Sequence, residues 1–194
     1  LEDIMSFYNK LSFLFMLFFV LFPSAGEMEV PASAQAELAM RILFRERAIR
    51  DGGGDIVIGM ADVDGSGAFF QEMKGEFEKL CAAKIDGKGC TIQEYFLQDY
   101  AHMGLMVDAA KAAGVKAIYF AGIEDLSKLP ELATKANTSG VISIGRKREW
   151  VQGGLTYGIF LQGTSPRVYI NSESLKYGGF VFEASLLRLA ELVK

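Results

Sequence analysis

GGLTYGIFLQGTSPRVYINSESLKYGGFVFEASLLRLAELVK, residues 153–194, is the stretch that decides the architecture. Leu155, Tyr157, Ile159 and Leu161 alternate with other residues, a turn follows at Gly163, Thr164, Ser165 and Pro166, and Val168 and Ile170 resume the alternation. That is the pattern of a strand, a hairpin and a second strand. Asn171 and Ser172 stand where a helix N-cap belongs, and Phe182, Leu186, Leu189 and Val193 recur at helical spacing. A closing helix with one apolar face is therefore expected. The preceding chain must supply the core this face seeks.

Upstream, short apolar runs alternate with amphipathic ones. Ala36 to Arg47 carries Leu38, Ile42, Ala39 and Leu43 on one side and reads as a helix ended by Gly52-Gly53-Gly54. Asp55 to Met60 is a strand of the kind a parallel sheet buries on both faces. A helix through Phe69, Phe70, Met73, Phe77 and Leu80 and a strand from Gly89 to Phe96 complete a βαβ unit. His102 to Ala113 is a helix with Leu105, Ala109 and Ala112 on its apolar side, Val115 to Phe120 a strand, Glu124 to Asn137 a helix that starts near Pro130, and Gly140 to Ile144 a strand. This rhythm predicts a single α/β domain with a mainly parallel sheet flanked by helices, right-handed crossovers, and the C-terminal hairpin and helix at its edge.

Leu11 to Phe22 is almost unbroken apolar sequence, preceded by Lys10 and followed by Pro23-Ser24-Ala25-Gly26. At about 1.5 Å of rise per residue it falls well short of a ~30 Å hydrocarbon core, so a secretory signal peptide is the first reading and a membrane-resting anchor the second. Residues 1–34 are the expected leader, with cleavage near 26 or 34, and residues 35–194 the folded domain. Either reading places the domain outside the cytoplasm, in the periplasm. The net charge of −4 and the absence of aromatic-basic interleaving argue against a nucleic-acid partner.

Asp62-Val63-Asp64-Gly65-Ser66-Gly67 opens like a calcium loop, but a strand precedes it and Met73 occupies the twelfth position, where a bidentate carboxylate is needed. A strand-to-helix turn is the better reading. Gly65-Ser66-Gly67 at a helix N-terminus is a weak candidate for an anion, having no Walker lysine and no full G-x-G-x-x-G. Arg146-Lys147-Arg148-Glu149-Trp150 is a cationic cluster just past the end of a strand, where open α/β sheets bind ligands. Ser66, Arg146, Arg148 and Trp150 are accordingly the candidate partner or ligand surface, against the alternative of a solvated helix start with Trp150 packed inward. Cys81 and Cys90, the only cysteines, read first as a disulfide worth roughly 2–3 kcal/mol, the alternative being two buried thiols. With His102 the one histidine, and Ser143 in a strand, no catalytic set, metal cluster or cofactor motif emerges.

From Val115 to the end, the order of residues resembles the YfiR-like family of exported bacterial regulators. The resemblance is carried by Val115 to Phe120 leading into Glu131-Leu132, by Gly140 to Gly145, by Gly153 to Gly158, and by Pro166 to Asn171. Phe182 and Ser185 to Ala190 extend it, and the helix Ala39 to Arg50 is similar, though less specific. The resemblance implies a periplasmic, non-enzymatic α/β protein that often acts as a homodimer. Such a protein binds and modulates an inner-membrane sensor or a diguanylate cyclase of cyclic-di-GMP signalling. Family disulfides support competence there, but this chain has just two cysteines, so that redox logic does not transfer whole. The alternative function is a periplasmic small-molecule or anion-binding protein, similar to one lobe of a receptor, with ligand at the strand ends near Ser66 and Trp150. Leu155, Tyr157 and Phe160 on an expected edge strand would favour self-association.

Overall fold

The computed structural model describes residues 30–85, 87–123, 125–162 and 165–194. The apolar leader lies outside the described residues, as do Gly163 and Thr164 of the hairpin turn. Ala32 and Val30 are buried, so the packed unit already includes residues ahead of position 35.

Seven strands form one sheet in the order β2-β1-β3-β4-β5-β6-β7. They are β1 (Ile56–Asp62), β2 (Cys90–Phe96), β3 (Val115–Phe120), β4 (Ile142–Gly145), β5 (Tyr157–Gln162), β6 (Ser165–Asn171) and β7 (Glu191–Val193). Every pairing is parallel except β5 with β6, the hairpin. The helices are α1 (Ala32–Leu43), α2 (Arg47–Asp51), α3 (Ala68–Ala83), α4 (Met103–Ala112), α5 (Leu129–Ser139), α6 (Arg148–Gln152), α7 (Ser172–Gly178) and α8 (Ala184–Leu189).

Period-two alternation sorts the central strands between two cores. Ile58, Met60 and Tyr119 point to the layer of α1 and α3, where Met40, Leu43, Phe70, Met73 and Phe77 wait. Ala61, Ile118 and Phe120 point the other way, against Met106 and Val107 of α4 and Leu132 and Ala136 of α5. Each large side chain so buried contributes about 1.5–3 kcal/mol. Tyr157 ties β5 to α1: its hydroxyl donates to the Ala39 carbonyl at 2.7 Å, and burial pushes the phenol well above its ordinary range.

The α/β architecture and the βαβ rhythm are as the sequence predicts; four local readings are not. The opening helix breaks at Phe44–Glu46, because Glu46 bridges to Phe182 and its carboxylate accepts the Ile49 N–H at 3.0 Å, capping a separate α2. On α4 the buried face is Met106, Val107 and Ala110, and Leu105 is 51% exposed. The closing helix is two helices and a strand. Asn171 caps α7 as expected, accepting from Ser174 N–H at 2.9 Å, but Gly179 adopts a left-handed φ of 67° that ends it. Phe182 and Leu186 still reach the core, while Leu189 is 75% exposed and Val193 pairs in β7. Finally, β5 lies between β4 and β6 with Leu155 and Tyr157 buried, so it offers no edge for self-association.

Candidate functional site at the carboxyl edge of the sheet

The parallel strands β1, β3, β4 and β5 all end on one edge, and β1 has β2 on one side and β3 on the other. Connections from β1 and β3 therefore leave in opposite directions, which opens the crevice where doubly wound sheets take ligands.

At the end of β1, Asp62 is 7% exposed and makes no hydrogen bond or ion pair with any described residue. Its Oδ2 lies 3.3 Å from where a Cβ on Gly67 would stand, and its Cγ 3.3 Å from one on Gly122. Two glycines thus make the room it occupies. Asp64 behaves differently: it accepts the Ser66 N–H at 2.8 Å and the Ser66 Oγ–H at 2.7 Å, which holds its carboxyl below the usual range. Gly65 has the positive φ, 75°, expected of this strand-to-helix turn. Ser66 is therefore exposed but committed to the turn. Gly67 is the N-cap of α3 and supplies no side-chain acceptor, so the first amides of that helix lack one.

The cationic cluster joins this turn through Phe69. The Arg146 guanidinium sits 4.1 Å over the Phe69 ring and donates from Nη1 to the Ala121 carbonyl at 3.2 Å, one residue from Gly122. Arg148 pairs with Glu191 at 2.8 Å and lies 4.8 Å over Tyr169, whose phenol is raised first by burial and then by the Glu191 charge. Arg146, Lys147 and Arg148 line a cleft of about 310 Å³ with Tyr169, Gln35 and the end of β5. Gln35 is a buried polar side chain there, its amide nitrogen 3.5 Å from the Ile159 carbonyl.

Of the four surface residues expected from sequence, Arg146 and Arg148 share the cleft and Ser66 reaches them only through Phe69. Trp150 is a correction: at 2% exposure it packs inward beside Leu155 and Leu132, with Lys147 Nζ 5.8 Å from its ring. Arg148 and Trp150 stand two residues apart on this short helix, about 200° around its axis, so one faces solvent when the other faces the core. Cys81 and Cys90 form a disulfide with Cα atoms 4.6 Å apart, joining the end of α3 to the start of β2. No thiol is left to pair with His102. Ser143 is buried in β4, its hydroxyl accepting the Thr156 N–H at 3.0 Å. Sequence reasoning missed Gln35 and Tyr169, which carry no motif, and passed over Asp62 because the D-x-D after a strand reads as a calcium pattern or as a plain strand-to-helix turn.

No family model matches the chain, and no curated protein matches it. Solved structures do. A conserved domain protein from Vibrio cholerae O1 biovar El Tor is 14% identical over 87% of this chain and 62% of its own, with a TM-score of 0.61. A ligand-free, open substrate-binding protein with adhesive properties from Clostridium difficile is 11% identical over 85% of this chain and 60% of its own, at a TM-score of 0.59. An ABC domain from Streptococcus pneumoniae, in complex with L-Trp, is 14% identical over 84% of this chain and 60% of its own, at 0.56. The likeness is one of fold, and this chain spans about three fifths of the length of each.

Proposed function

We propose that the chain is an exported ligand-binding module that takes a small, negatively charged molecule at the carboxyl edge of its sheet. The cleft lined by Arg146, Lys147 and Arg148 carries the reading: it opens past the ends of β4 and β5 and gathers three cations beside Glu149, with Arg148 paired to Glu191 and Lys147 in no ion pair with any described residue. Two of the three structures of similar fold are described with substrate binding or a bound ligand, which supports a binding role over a signalling one. Export is supported by the disulfide, a bond that persists in oxidising compartments. Among the described residues no helix is long and apolar enough to cross a membrane.

Sulfate, phosphate and succinate at millimolar concentration should raise the melting temperature, and Lys147→Ala with Arg148→Ala should remove the shift. If none of the three probes shifts the wild-type protein, or the double variant responds like wild type, the cleft is not the site.

A second reading follows from the stretches that resemble YfiR-like regulators: docking on an inner-membrane sensor or cyclase. It is favoured by the place of β7 at the edge of the sheet among the described residues, with Leu189 and Leu192 exposed beside it. Crosslinking in cells should then capture a transmembrane cyclase or kinase, and recovery of the chain alone would remove this reading.

A further inference from the structure

We propose that the carboxyl end of β1 and the first turn of α3 form a subsite for a free α-amino acid. Its ammonium group would be taken by Asp62 and its carboxylate by the amides of Ala68 and Phe69. The proposal rests on the ligand-binding reading above and adds a ligand class at a second position on the same edge.

Two independent observations meet there. Asp62 is more than nine-tenths buried, has no hydrogen-bond or ion-pair partner among the described residues, and packs between two glycines that offer it no side chain. A carboxylate without a hydrogen-bond or ion-pair partner gains from a cation brought to it. Beside it, the 16-residue helix α3 begins at Gly67 without a side-chain cap, and neither the Ala68 nor the Phe69 amide has a backbone acceptor. These amides and the helix dipole favour an anion. The two demands are opposite in sign, and Asp62 Oδ2 is 3.3 Å from the side-chain position of Gly67, the N-cap itself. A simple cation would meet the repelling helix end, and a simple anion would meet Asp62. A zwitterion with its charges one carbon apart satisfies both.

A divalent metal fits less well. Among the described residues no three His, Cys, Asp or Glu side chains converge, and calcium seeks six to eight oxygens. The Arg146 guanidinium, following β4, covers the ring of Phe69 in that same first turn of α3 at 4.1 Å.

The test is calorimetric titration and thermal shift of the chain with the common L-amino acids, each set against its N-acetyl and carboxamide derivatives. At least one free amino acid should bind, and blocking either end should weaken it about tenfold or more. Asp62→Asn should lose that binding while keeping the sulfate and succinate response of the Arg146–Arg148 cleft. Gly122→Ala, which drives a methyl group onto the carboxylate, should lose it as well. Binding of no free amino acid, equal binding of an N-acetyl form, or wild-type affinity in Asp62→Asn overturns the proposal. So does a shift produced by calcium or magnesium alone that Asp62→Asn abolishes. If amino acids fail while sulfate and succinate still act through Lys147 and Arg148, the subsite falls and the cleft stands; if all fail, both fall.

Discussion

Clefts of similar size open at the two ends of the strands, about 340 Å³ at the amino edge and about 310 Å³ at the carboxyl edge, and their chemistry is opposite. At the amino edge the carboxylates are spent on the fold, Asp55 on the Gly89 N–H and Glu46 on two others, and Lys116 alone of the charged lining residues has no partner among the described residues. Glu46, 4% exposed, accepts the N–H groups of Ile49 at 3.0 Å and Val181 at 3.2 Å. Nearby, the Lys88 ammonium donates to the carbonyls of Ile49 at 2.6 Å, Arg50 at 2.7 Å and Gly52, closing the end of α2. The disulfide lies at the same end, since Cys90 pairs with Ile56 at the start of β1. At the carboxyl edge Asp62 has no partner among the described residues, a helix lacks its cap, and Lys147, in no ion pair with a described residue, lines an open cleft with Arg146 and the Glu191-paired Arg148. Size alone does not tell a binding site from a structural seam; whether the polar groups are already paired does.

The largest test of that contrast is the disulfide. Cys81→Ser with Cys90→Ser should cost roughly 2–3 kcal/mol, read as a lower denaturant midpoint, and leave ligand response at the carboxyl edge unchanged. Loss of ligand response in a still-folded double variant would break the division between the ends. Smaller, and unequal, are the effects of two carboxylate removals. Glu46→Ala strands the buried Ile49 N–H and the part-buried Val181 N–H and should cost about 2 kcal/mol. Asp62→Asn removes a carboxylate that no described residue engages and should change stability by less than about 0.5 kcal/mol. Melting curves of the two variants would settle it; destabilisation in both would mean that Asp62 serves the fold as Glu46 does.

Much of this fold is legible in the sequence because strands buried on both faces are dense apolar runs: β1, β3 and β4 stand out from their neighbours without any tertiary information. The closing segment misleads for a physical reason. Phe182 and Leu186 are four apart and both reach the core, so they imitate a continuous helical stripe. Phe182 arrives from the connection after α7 and only Leu186 from α8, and the signal that separates them is Gly178-Gly179. Trp150 misleads in the same way, since a Trp among cations looks like an interface anchor until α6 turns it beneath them. The site was legible in its cations and not in its carboxylate. Arg146 and Arg148 announce themselves by composition, whereas Asp62 matters because of what is missing around it: side chains at positions 67 and 122, and a donor from any described residue. Pairing in three dimensions cannot be read from residue order. The placement of an acid as the last residue of the first strand in a doubly wound sheet was the available hint.

The smallest effect separates the two acids of the same turn. Asp64 is exposed and held by Ser66, so its carboxyl is depressed from its ordinary value of 3.8. A depressed acid contributes stability that is fully present above that ordinary value and is lost as pH falls through the folded one. Because the group is exposed, solvent screens it, and the loss should be slight. Ser66→Ala removes the strongest donor. An NMR titration should then show the Asp64 carboxyl moving up toward its ordinary value, with little change in melting temperature at neutral pH. Amino-acid and sulfate binding at neutral pH should be unaffected, because the Ser66 hydroxyl is occupied by Asp64 and faces no ligand group. A loss of binding in Ser66→Ala would put the hydroxyl in the site after all, and would extend the ligand surface from the first turn of α3 back toward β1.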